Sequence, residues 1–220
     1  MKNNGLLAGV LFFAQATLFP ILNSGLPLTQ FSWRLAALVA MALALSFTQS
    51  AFFPRAMLIA AAVLGLLGCI GQWQLLPLVI TQLGFSLLLN FQQLNVRVQL
   101  SGWFIQVIFL QLLLTIAVVQ VLPAAFLTGL LLDIALLTLP ALLTLWADRL
   151  PGWSDVVLLV AMAGGGFLLQ RLTLVTAAAL LILTALLNPR IAKKASSHPA
   201  LYAALATIQG LLMTLTRLHG

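Results

Sequence analysis

Residues 102–147 read GWFIQVIFLQLLLTIAVVQVLPAAFLTGLLLDIALLTLPALLTLWA, a run in which Asp133 is the only charged side chain. A helix rises about 1.5 Å per residue and a bilayer's hydrocarbon layer is about 30 Å thick, so one crossing takes roughly 20 apolar residues. The run is too long for one such helix. Pro123 cannot donate a backbone hydrogen bond and divides it into 102–122 and 124–147. The reading is two consecutive membrane-length helices with no polar face between them.

Outward from that pair the chain repeats the pattern. Apolar segments fall at about 5–22, 35–53, 56–72, 75–91, 102–122, 124–147, 156–170, 172–187 and 200–217. Arg34, Pro54-Arg55, Gln72-Trp73-Gln74, Arg97 with Ser101-Gly102, and the stretch from Asp148 to Asp155 with Pro151 and Gly152 punctuate them. The whole composition agrees: 63% of the 220 residues are hydrophobic, 6% are charged, and the mean hydropathy is +1.16. A water-soluble domain needs about a quarter of its residues charged, which excludes that class. The sequence predicts an all-α, polytopic integral membrane protein of about nine transmembrane helices. Residues 1–220 form one transmembrane domain with no soluble domain. Lys2 and Ala14-Gln15-Ala16 imitate a signal peptide, but the apolar stretch continues to Leu22 and reads as an uncleaved first span.

Residues 156–187 admit two readings, because Arg171 alone separates two short segments. Orientation distinguishes them. With nine spans, Lys2, Arg55, Arg97, Arg149, Arg190, Lys193 and Lys194 share one side, against Arg34, Arg171 and Arg217 on the other. If 156–187 is one bent span, giving eight helices, the basic residues divide evenly. The positive-inside bias therefore selects nine spans with a cytoplasmic N-terminus; compactness and short loops are the ground for expecting a bacterial inner membrane. Trp33, Trp73, Trp103, Trp146 and Trp153 fall near segment ends, as interfacial anchors do.

The formal charge of +7 does not point to nucleic acid, since the bases are scattered singly between apolar runs. Cys69 stands alone, so no disulfide or cysteine metal cluster forms within the chain. There is no glutamate, no histidine within a span (His198 and His219 lie outside), and one intramembrane aspartate. Zinc-protease motifs, paired-histidine haem ligation and aspartyl dyads are thereby absent. No metal or cofactor is expected, and an enzyme is disfavoured.

Asp133 is the leading site candidate. A carboxylate at mid-helix costs about 2.5–3.5 kcal/mol to insert, so something must compensate it. It reads either as a proton or substrate site or as a packing residue hydrogen-bonded to a neighbour. Arg171 reads first as an interfacial base that snorkels, and second as the counter-charge of Asp133. Gln82, Ser86 and Asn90 recur at helical spacing and place three polar side chains on one stripe of the fourth segment, with Gln106 beside them on the fifth. These amides either line a path for a polar solute or act as interhelical glue worth about a kcal/mol or less each. Gly164-Gly165-Gly166 reads as an unwound stretch or as a close helix contact.

Gly5 to Pro20 followed by LPLTQFSWRLAAL, residues 26–38, resembles the opening of drug/metabolite-type transporters, where an arginine begins the second helix. That resemblance implies a ten-helix transporter. The chain departs from it in having nine segments and in lacking the family's glutamate after the fourth helix, so membership is not claimed. The thirteen-residue stretches from Arg55 and Arg171 also align, as an inverted repeat would. The expected function is a small membrane transporter or substrate-binding membrane component for a polar or amphipathic small molecule. The alternative is a non-catalytic membrane subunit. Expected partners are membrane lipids, the small-molecule substrate, and partner subunits or further copies of the chain.

Overall fold

Each of the nine apolar segments becomes a helix. The structure, a computed structural model, describes residues 2–23, 32–48, 54–91, 94–119, 124–188 and 199–219. Among these are α1 (Lys2–Asn23), α2 (Trp33–Thr48), α3 (Pro54–Gly68), α4 (Leu76–Phe91), α5 (Val96–Val119), α6 (Ala124–Leu145), α7 (Ser154–Leu168), α8 (Leu174–Leu187) and α9 (Pro199–His219), with no strand. Short 3-10 turns at Trp73–Leu75 and Ala147–Arg149 lead into α4 and out of α6. Pro123, Gln49, Gln93, Gln120, His198 and the bases from Arg190 to Lys194 lie outside the described residues, as do the side chains of Lys2, Arg217 and His219.

Three stretches are long and apolar enough to cross a membrane by length and composition: Trp73–Asn90, Arg97–Val119 and Thr128–Leu145. In the other six the apolar stretch runs 10–17 residues, short of a full crossing at about 1.5 Å per residue. Among the described residues the nine segments are therefore nine helices, of which three hold an apolar stretch of membrane-spanning length. Residues 156–187 are not one bent helix. They split into α7 and α8, which sets the eight-helix alternative aside.

α1 and α5 hold the centre: α1 packs on α2, α5 and α9, and α5 on α1, α2, α4 and α6. Phe12 of α1 meets Trp103 edge-on at 4.8 Å and Phe104 at 5.6 Å, a geometry worth about 0.5–1.5 kcal/mol per pair. Trp103 is thus a core residue and not an interfacial anchor, whereas Trp33, Trp73 and Trp153 are exposed. α2 and α3 approach closely through small residues. A Cβ added at Gly68 would lie 2.5 Å from the Leu38 side chain of α2, and one at Gly65 2.8 Å from the Met41 sulfur of α2. Ala61, Gly65 and Gly68 form the small-residue face that allows this. Ser101 and Gly102, read as a boundary, lie inside α5, because Leu89 packs into the gap that Gly102 leaves.

A second apolar cluster joins Phe19, Ile134, Leu137, Ala163, Leu180 and Met213 from α1, α6, α7, α8 and α9. Two contacts fix the ends of the bundle. Arg97, opening α5, bonds Asp148, just after α6, at 2.5 Å. Arg34, opening α2, lies against Gly71, just after α3. Arg55 and Arg171, aligned in the repeat reading, occupy different places: Arg55 is an exposed residue inside α3, and Arg171 sits in the turn before α8.

Candidate functional site

α7 and α8 form an antiparallel hairpin whose turn delivers Arg171 to α6. α7 ends through Gln170, a non-glycine residue at φ +56°, and the amides of Arg171 and Leu172 both donate to the Gly166 carbonyl at 2.8 and 3.0 Å. This is the left-handed helix ending that glycine usually supplies. α8 starts at once: Thr173 accepts from the Thr176 amide at 3.3 Å, while the Thr176 hydroxyl accepts from the Thr173 amide at 2.8 Å. Arg171, caught between the two caps, projects onto α6.

There its guanidinium lies over Gly129, 2.7 Å from where a Cβ would stand, and 3.5 Å from an oxygen of Asp133. The Asp133 side chain is 6% exposed and that of Arg171 38%. Helix length explains the meeting. α6 has 22 residues while α7 and α8 have 15 and 14, so the hairpin is roughly 10 Å shorter than α6. Its polar turn comes level with the interior of α6 and not with its end. Arg171 thus belongs to a two-helix hairpin and still pairs with Asp133, combining features of both sequence readings.

The opposite end of the hairpin is also tied. Asn188, following α8, donates to Asp155 in the first turn of α7 at 2.8 Å, and both residues are buried. The sequence reading left Asp155 in a polar loop and assigned Asn188 nothing. An acid in the first turn of a helix was the available signal, since the helix dipole favours it there.

Beside the ion pair, a groove of about 260 Å³ opens between α6 and α7, lined by Leu132, Leu136, Leu139, Met162 and Gly165 with Arg171 at its edge. The glycine triplet is helical throughout, so the unwound reading fails. Gly166 packs on Leu172 and Leu136, whereas a Cβ at Gly164 or Gly165 would meet nothing within 4 Å. Gly165 therefore faces the groove and keeps it wide.

The amide stripe lies elsewhere. Gln106 of α5 donates to the Ser86 hydroxyl at 2.5 Å, and Gln82 donates to the Gln106 carbonyl at 3.5 Å. Asn90 turns back onto its own helix, donating to the Ser86 carbonyl at 2.7 Å. Gln82, Ser86 and Gln106 are buried and join α4 to α5. The six candidate residues thus fall into two groups, Asp133 with Arg171 and the four polar residues of α4 and α5. Among the described residues no group of three or more metal-ligating side chains comes together. No family model, curated protein or solved structure matches the chain.

Proposed function

We propose that the protein is a small integral membrane transporter, or the substrate-binding component of one, for an amphipathic small molecule. The observation that carries this reading is Arg171, which lines the edge of the α6–α7 groove while paired with the buried Asp133 behind it. An apolar cleft with one charged side chain at its rim matches a ligand that has a hydrocarbon part and a polar end. An intramembrane ion pair is also expensive to keep, and such pairs mark substrate and proton paths.

A membrane setting is supported by the three long apolar helices and by the large apolar side chains left exposed, such as Ile59, Val63, Ile80, Leu88, Leu174 and Ile182. Lipid is the solvent that tolerates such a surface. Arg55, Arg97 and Arg149 lie at the end where α1 begins and Arg34 at the other, while Arg171, on the same side of the sequence pattern as Arg34, stops level with the interior of α6. By the positive-inside bias the N-terminus is cytoplasmic, and the compact chain with its short loops supports a bacterial inner membrane.

The test is flux of a panel of labelled amphipathic compounds, anionic, cationic and zwitterionic, through proteoliposomes of the full chain. The expected result is accelerated flux of at least one compound, abolished in Asp133→Asn and in Gly165→Leu, which fills the groove. Equal flux in empty and loaded vesicles across the panel overturns the reading.

A further inference from the structure

A second cavity, of about 170 Å³, lies at the far end of the bundle from the Arg97–Asp148 contact and shares no residue with the α6–α7 groove. It is bounded by Ser32, Arg34 and Leu38 of the α2 region, Gly68 and Gln72 at the end of α3, and Ala117 of α5. Its character is set by Arg34. The chain has three acids, and each is engaged elsewhere: Asp133 by Arg171, Asp148 by Arg97 and Asp155 by Asn188. Among the described residues Arg34 therefore has no carboxylate. Its one charge-dependent contact is with the Trp33 ring, 5.7 Å from the guanidinium carbon.

The backbone is shaped to admit this guanidinium. Gly71 has φ +82°, where a side chain is strained, and a Cβ there would lie 2.6 Å from an Arg34 nitrogen. Arg34 is thus held over the end of α3, beside the cavity, with its five donors fixed in a planar fork. Gln72 supplies an amide to the same space. The Ser32 hydroxyl oxygen accepts from the Leu35 amide at 3.2 Å, which leaves its proton available to donate. The cavity is several times the roughly 30 Å³ share of one water.

We propose that this cavity binds a phosphate group, held by the Arg34 fork and by donors from Gln72 and Ser32. A guanidinium matches phosphate oxygens two at a time, and a tetrahedral anion uses donors converging from several directions. The phosphate comes either from a lipid headgroup, beside the exposed Trp33, or from solution. This inference does not depend on the transport reading, since it concerns different residues.

The test uses the purified full chain in detergent. Native mass spectrometry compares retention of dilauroyl phosphatidylglycerol with that of dilauroylglycerol, which lacks the phosphate. Thermal unfolding is followed with inorganic phosphate at constant ionic strength. Wild type is expected to retain the phosphatidylglycerol and not the diacylglycerol, or to unfold at higher temperature in phosphate. The first result identifies a headgroup as the source and the second free phosphate. Either response should fall about ten-fold or more in Arg34→Gln, the weight of one charge-assisted hydrogen bond, and persist in Arg55→Gln. Gln72→Leu and Arg34→Lys should weaken it several-fold and provide the answer if Arg34→Gln does not fold. Equal retention by wild type and a folded Arg34 variant, or no response of wild type to either phosphate probe, overturns the proposal.

Discussion

Asp133 and Arg171 are 38 residues apart in sequence and meet because one arm of the structure is shorter than its neighbour. The acid is fixed inside α6 and the base comes to it on the hairpin turn. Arg171→Leu should therefore destabilise the protein by about 3 kcal/mol, since it leaves a buried carboxylate without its cation. Asp133→Leu combined with Arg171→Leu should recover most of that loss. Thermal unfolding of the two variants checks this, and equal stability of Arg171→Leu and wild type would refute it.

The clasp between Asp155 and Asn188 should hold the hairpin closed at its other end. Asn188→Leu removes a donor to a buried acid and should cost about 2 kcal/mol. A double-mutant cycle with Asp155→Asn should give a coupling of about 1 kcal/mol or more. Strict additivity of the two substitutions would mean that the contact contributes nothing.

At Gln170 the backbone is left-handed at φ +56° without being glycine. A non-glycine residue pays roughly 1 kcal/mol for that conformation. Gln170→Gly should raise stability by up to about that amount, partly offset by the greater freedom of glycine in the unfolded chain. Gln170→Val, branched at Cβ, should lower it. The order Gly, Gln, Val in unfolding temperature is the measurable outcome.

Arg97 beside Asp148 holds that carboxyl below its ordinary pKa of 3.8, chiefly by hydrogen bonding. A depressed folded-state pKa means that the pair's contribution is complete above the unfolded value and disappears as pH falls through the folded one. The window is thus below about pH 4, and the contribution is small, about 0–1 kcal/mol, because both side chains are partly exposed. Asp148→Asn should flatten the acid limb of the stability profile there and leave neutral stability within that range. An unchanged acid limb would exclude this pair as its source.

The helical pattern was legible in the sequence because apolar runs and their punctuation survive any packing arrangement. The segment 75–91 and the helix Leu76–Phe91 differ by one residue at one end, and 124–147 and α6 start together. The sequence also isolated Asp133, since a lone acid in an apolar run is conspicuous. What it did not contain was relative depth. Whether Arg171 reaches Asp133 depends on how far α7 and α8 extend beside α6, a relation between elements that no single segment encodes. The glutamines were ambiguous for the same reason: Gln82, Gln106 and Asn90 differ in the structure only by which neighbour they face. Trp103 misled because proximity to a helix end does not determine whether a ring points outward or toward Phe12.

The short hairpin also has a consequence for synthesis. Residue 171 is made 38 residues after Asp133, so the acid is synthesised well before its cation. In a bilayer that interval carries about 2.5–3.5 kcal/mol of uncompensated insertion cost. Asp155 likewise waits 33 residues for Asn188. A chain truncated between residues 145 and 171 would carry α6 with its acid and without the arginine, a defect on the buried face of that helix. Completion of the hairpin removes both defects, which makes residues 171–188 the stretch whose arrival commits this half of the molecule to its final form.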